Sequence, residues 1–121
     1  MFEQIKENSP KGWKKFFNWC CNKNLIDKYY WISSISEIKF VSLIGHLFTF
    51  FDSVGIRIAV IPHTNGTFRP YLFRKAGKVW TFLELEDYEY GFSARPEAWK
   101  AAIQKAFEIY EKILEQSCLS K

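Results

Sequence analysis

Ile56-Arg57-Ile58-Ala59-Val60-Ile61, closed by Pro62, then Thr67 to Arg74 and Val79 to Glu86, are three runs of strand-forming residues, and one long helical stripe follows them. The first run is β-branched at most positions. His63-Thr64-Asn65-Gly66 after it has the composition of a turn. The second run contains Pro70, which predicts an edge position or a bulge, because proline gives up a ladder donor. Lys75-Ala76-Gly77-Lys78 predicts a tight hairpin turn. In the third run Val79, Thr81, Leu83 and Leu85 alternate with Trp80, Phe82, Glu84 and Glu86, so the two sets fall on opposite faces. After a loop over Asp87 to Phe92, a helix opening at Ser93 to Glu97 is expected to reach about Gln116, with Trp99, Ile103, Ala106, Phe107, Tyr110, Ile113 and Leu114 on one stripe.

Working outward toward the N-terminus, Ser34-Ile35-Ser36-Glu37 matches a capping box, a serine with glutamate three residues on. Ile38, Val41, Ile44, Leu47, Phe48, Phe51 and Val54 then step by three and four, while Phe40, Leu43 and Phe50 fall off that stripe. A helix apolar on more than one side is a well-covered one. Gly55 stands where a glycine stop belongs. Ser9-Pro10 opens an earlier helix, with Ser9 as cap and Trp13, Phe16, Phe17 and Cys20 at helical spacing. That helix should stop near Asn22-Lys23-Asn24, and Leu25 to Ser33 reads as a short extended segment.

The order is α-α-β-β-β-α. It predicts an α+β fold, a three-stranded antiparallel meander with helices packed on one face, since each amphipathic element must cover the apolar surface of another. A chain of 121 residues suits a single domain spanning 1–121. Within it, 9–33 forms an N-terminal helix and connector, 34–117 the α-βββ-α core, and 118–121 a tail.

Composition excludes several classes. Apolar residues make up 48% of the chain and aromatic ones 19%, enough for a core and incompatible with disorder over most of the length. Three cysteines, Cys20, Cys21 and Cys118, are an odd count with one adjacent pair. They read as reduced thiols of a cytoplasmic protein rather than a disulfide framework. Met1 to Glu7 carries acids and no apolar core, so it does not read as a secretory signal. The longest apolar stretch, Phe40 to Phe51, falls short of the roughly 18 residues that span a bilayer, and no membrane partner is expected.

No polar cluster has the spacing of a catalytic or metal site, and neither a cofactor nor an enzymatic activity is expected. His46 sits among apolar neighbours with only Asp52 near it in sequence, which suits a structural histidine. Cys20-Cys21 lacks the second pair that a soft-metal site needs. Glu84, Glu86, Asp87 and Glu89 lack the glycine and alternating oxygen ligands of a calcium loop, and read as solvated edge charge.

The best candidate surface is basic and aromatic. Net charge is +4, and from Gly55 to Leu83 the chain carries Arg57, Arg69, Arg74, Lys75 and Lys78 and no acid. Arg69, Tyr71, Phe73 and Lys75 alternate onto one sheet face, and Trp80 and Phe82 can join them across the hairpin. With Pro62 and His63 in the adjoining loop, these are the candidate binding residues. Rings and cations together bind phosphates and stack bases. Tyr, Trp and Arg also dominate protein–protein hot spots.

The segment Ile38 to Leu114 resembles small proteins encoded by bacteriophages, prophages and other mobile elements. Two stretches carry the likeness: Phe51-Asp52-Ser53-Val54-Gly55-Ile56-Arg57-Ile58 at a helix-to-strand passage, and Ala94-Arg95-Pro96-Glu97-Ala98-Trp99-Lys100-Ala101-Ala102-Ile103 at the start of the last helix. The resemblance implies an architecture and no particular activity. The helix–three strands–helix order is also similar to the double-stranded RNA-binding domain, with Pro62-His63 in the first strand-to-strand loop. Arg95-Pro96-Glu97 stands where that domain has a basic doublet, and an acidic stretch, Glu86 to Glu89, precedes it. HicB-like antitoxins share the strands-then-helix core. The resulting expectation is a non-enzymatic binding or accessory protein acting through protein contacts, with a nucleic-acid-binding module as the alternative and a homodimer through helices as one assembly.

Overall fold

The structure, a computed structural model, describes residues 2–23, 40–83 and 91–119. Among these residues seven elements follow one another: α1 Phe2–Asn8, α2 Pro10–Asn22, α3 Phe40–Ser53, β1 Ile56–Pro62, β2 Phe68–Ala76, β3 Val79–Leu83 and α4 Arg95–Leu119. The fold is α+β, with all three strands antiparallel in one sheet of order β1-β2-β3. The expected extended segment over 25–33, the Ser34–Glu37 capping box and the carboxylates Glu84, Glu86, Asp87 and Glu89 lie outside the described residues.

Contacts group the chain into two compact units, Met1–Phe50 with Phe107–Lys121, and Phe51–Ala106. The first is held by aromatic side chains. Phe16 of α2 is fully buried and lies 5.2 Å from the Phe50 ring of α3 and 6.0 Å from Phe107 of α4, both edge-on. Trp13 lies 6.0 Å from Phe107, and Phe50 lies 5.8 Å from Trp19 and from Tyr110. Tilted and edge-on pairs set the positive ring edge against the negative face, which adds to the area each ring removes from water. Phe50, off the stripe that the sequence pattern picks out for this helix, is therefore a core residue, buried with Leu47.

Two readings of the N-terminus need correction. Phe2–Asn8 is a helix of its own, which its short FEQIKEN pattern did not announce. Ser9 begins α2 but its side chain makes no capping bond; the residue is buried, and its backbone links the two helices through Ser9 N–H to Ile5 O at 2.7 Å and Trp13 N–H to Ser9 O at 2.9 Å. The last helix also runs on to Leu119, past the expected stop near Gln116 and into the presumed tail.

The second unit holds the sheet. Ile56 pairs with Arg74 and Pro62 with Phe68 in an unbroken register, and Leu72 pairs with Leu83 and Ala76 with Val79. Residues directly opposite share a face. One face carries Ile56, Pro70 and Leu72, all buried, and within the same unit α4 buries Ala98, Ala101, Ala102, Ile103 and Ala106. The other face carries Arg57, Ala59, Ile61, Arg69, Tyr71, Phe73, Lys75, Trp80 and Phe82.

Pro70 overturns the expectation of an edge strand or a bulge: it lies in the central strand, directly opposite Val60, with no residue inserted. The reason is the direction of its missing donor. Phe68 exchanges both backbone hydrogen bonds with Phe92, at 2.7 and 2.8 Å, on the side away from β1. Residues two apart along a strand direct their N–H groups to the same side. Pro70 therefore costs the β1 ladder nothing.

Candidate binding surface on the sheet

The outer face is built by strict alternation. Because Tyr71 and Phe73 point away from buried Pro70 and Leu72, their rings stand on the open side, and the hairpin register sets Phe82 opposite Phe73 and Trp80 opposite Lys75. Phe82 touches two rings at once, with centroids 5.6 Å from Tyr71 and 5.7 Å from Phe73. It nevertheless remains 47% exposed, and Ile61 on β1 is 45% exposed. Large apolar side chains left this open on one face mark interaction surfaces.

Cations flank the rings. The Arg57 guanidinium lies 4.0 Å above the Trp80 ring and is held from the other direction by Asp52, Nε to Oδ1 at 3.1 Å. Arg69 sits 5.8 Å from the centre of the Tyr71 ring. Lys75 is exposed beside Trp80. A cation over a ring face is attracted by the quadrupole and is fixed in place without being discharged.

His63 closes one end. Its Nε2 is hydrogen-bonded to the Tyr71 hydroxyl at 3.1 Å, with the two rings nearly parallel. The turn holds it there: His63 N–H donates to Thr67 O at 2.8 Å, and Asn65 Oδ1 accepts from both the Thr67 N–H and the Thr67 hydroxyl. Gly91 supports the same corner. Its φ is +79°, and a Cβ there would stand 2.9 Å from Arg69 Cγ and 3.1 Å from Phe68 O. Only glycine allows the strand to pass so close to the stem of Arg69.

Of the residues singled out from the sequence, Arg69, Tyr71, Phe73, Lys75 and Trp80 share this face, with His63 joined to them through Tyr71. Pro62 and Arg74 are paired on the opposite face, with Phe68 and Ile56, and Lys78 is exposed in the hairpin turn. Two contributors escaped the sequence reading: Ile61, which alternation alone would have placed, and Gly91, whose role depends on a contact with a distant strand.

Elsewhere the polar groups suggest little chemistry. Asp52, the nearest carboxylate to His46 in sequence, is engaged by Arg57. Burial, with a smaller contribution from neighbouring Cys21, pushes the Cys20 thiol up to about 12, which leaves it a packed thiol rather than a nucleophile at neutral pH. Among the described residues, no three of His, Cys, Asp and Glu are grouped so as to hold a metal ion. No described helix is long and apolar enough to cross a membrane.

No protein-family model, curated protein or solved structure matches this chain.

Proposed function

We propose that this protein is a non-enzymatic binding module of the accessory kind that phages and mobile elements carry, and that the outer sheet face receives its partner. The observation that carries this reading is Phe82, in contact with Tyr71 and Phe73 yet nearly half open to solvent on a face that also carries Arg57, Arg69 and Lys75. Exposing rings to water is unfavourable unless a partner covers them. Protein contact suits the Tyr, Trp and Arg composition of the face. A nucleic acid is the second reading, favoured by the absence of any acid between Gly55 and Leu83.

Site-specific photocrosslinking tests the location of the surface. A benzoylphenylalanine replacing Phe82 should form covalent adducts in cells expressing the chain, whereas the same group replacing exposed Lys112 on α4 should not. Protease or nuclease sensitivity of the adduct then gives the partner class. Adducts at position 112 and none at 82 would refute the assignment.

A further inference from the structure

Four features of the outer face bear on what kind of partner it takes. The first is charge. Over the whole span Gly55 to Leu83 the chain has five cations and no acid, and three of the five, Arg57, Arg69 and Lys75, lie on this face. A protein partner could complement that with scattered carboxylates, but an even run of cations around a ring cluster is the complement of a polyanion with flat groups between its charges.

The second is the placement of the rings. Tyr71, Phe73 and Phe82 are spaced 5.6 and 5.7 Å apart and tilted to one another by 42° and 59°. They are tilted rather than stacked on one another, while Tyr71 lies nearly parallel to the His63 ring. The third is scale. Bases in a duplex strand rise by about 3.4 Å, less than the separation of these rings. Bases laid on successive rings must be unstacked from each other, which a single strand permits and a duplex resists. The fourth is preorganisation. Arg57 is pinned between Asp52 and Trp80, and Arg69 is packed against Gly91 at its stem. Cations already ordered lose less freedom when they meet phosphate.

We propose that the outer sheet face binds single-stranded nucleic acid, with bases on Tyr71, Phe73 and Phe82 and phosphates met by Arg57, Arg69 and Lys75. This takes up the second reading of that face, a nucleic acid rather than a protein, and rests on its assignment as the binding surface. It differs from groove recognition of a duplex by loops and helix ends, because the contact is the flat of the sheet. Sequence preference is weak in such a mode, since every base offers a π face.

Fluorescence anisotropy of the full chain against a labelled oligothymidylate of about twelve nucleotides tests it. The same measurement is made with a duplex of equal length and an abasic strand of equal length. The strand should bind, and the duplex and the abasic strand should bind at least about tenfold more weakly. Tyr71→Ala with Phe82→Ala should weaken binding by about tenfold or more while the circular dichroism is retained. Neither Arg69 nor Lys75 is buried, and Arg69→Ala with Lys75→Ala should flatten the slope of log affinity against log salt by about 0.7 per cation removed.

No binding to the oligothymidylate at about 50 mM salt overturns the inference. So does equal affinity for the duplex or for the abasic strand. If the strand fails but position 82 crosslinks to a protein, or if sedimentation shows a dimer that Phe82→Glu dissociates, the nucleic-acid assignment falls and the face remains the binding surface. If neither partner class is found at position 82, both fall.

Discussion

Glu111 on α4 accepts the backbone N–H of Gly12 at 2.7 Å, and its other carboxylate oxygen accepts that of Lys11 at 3.2 Å. These are first-turn donors of α2, which have no partner inside their own helix. The capping that Ser9 does not provide is supplied by a carboxylate 99 residues beyond Gly12, only 5% exposed. A negative charge at that end also meets the favourable end of the helix dipole.

Replacing Glu111 with alanine strands two donors and should cost about 2–3 kcal/mol, whereas Glu111→Gln keeps one acceptor and should cost about 1 kcal/mol. Urea unfolding checks this through the midpoint at unchanged slope. Equal, negligible effects would mean that water replaces the carboxylate without penalty.

Two helical glycines should respond oppositely to alanine. Gly45 on α3 is exposed with nothing within 4 Å of an added Cβ, so Gly45→Ala should stabilise by about 0.5–1 kcal/mol. At Gly12 the same Cβ would meet the Tyr110 ring at 3.3 Å and Glu111 Oε2 at 3.4 Å. Crowding against a buried ring and the capping carboxylate should cancel the helix-propensity gain or reverse it. Thermal melting of the two variants side by side gives the contrast.

Phe107 and Phe82 separate core from surface among the rings. Phe107 is fully buried against Trp13 and Phe16, and Phe107→Ala should destabilise by about 3–5 kcal/mol. Phe82→Ala should cost less than about 1 kcal/mol. Denaturant midpoints that coincide for the two would contradict the division.

Cys20 makes the fold sensitive to alkali. Its thiol is raised from 9.0 to about 12 by burial, so the unfolded chain loses that proton first as pH rises. The contribution is intact below 9.0, declines between 9.0 and about 12, and then stays lost. Tyr110, also raised by burial, acts in the same sense from 10.0 upward. Peptide mapping after iodoacetamide at pH 8 should find Cys20 unmodified until denaturant is added. Rapid labelling in the native state would show the thiol to be open.

Much of the sheet could be read from the chain, because alternation is local. Leu72 in and Phe73 out follows from period two, and the register at Gly77-Lys78 then brings Trp80 and Phe82 to the same side. What could not be read was set by distant partners. Ser9 has the composition of a cap, but whether a cap is needed depends on Glu111. Phe50 lies off the stripe of its own helix because its neighbours, Phe16, Trp19 and Tyr110, come from two other helices. Pro70 can stand opposite Val60 in a paired strand because its missing donor points away from β1, which depends on the register and not on local composition. Gly91 has a left-handed backbone, but the close approach to the stem of Arg69 that also requires glycine is a distant contact no local pattern announces.

Two-dimensional NMR during titration with a short oligothymidylate tests the account most directly. Progressive shifts confined to Arg57, Arg69, Tyr71, Phe73, Lys75, Trp80 and Phe82, with His63 following Tyr71, are the predicted result. Shifts centred on α2, or on Ile56 and Leu72 of the inner face, or no shifts at low salt, would contradict it.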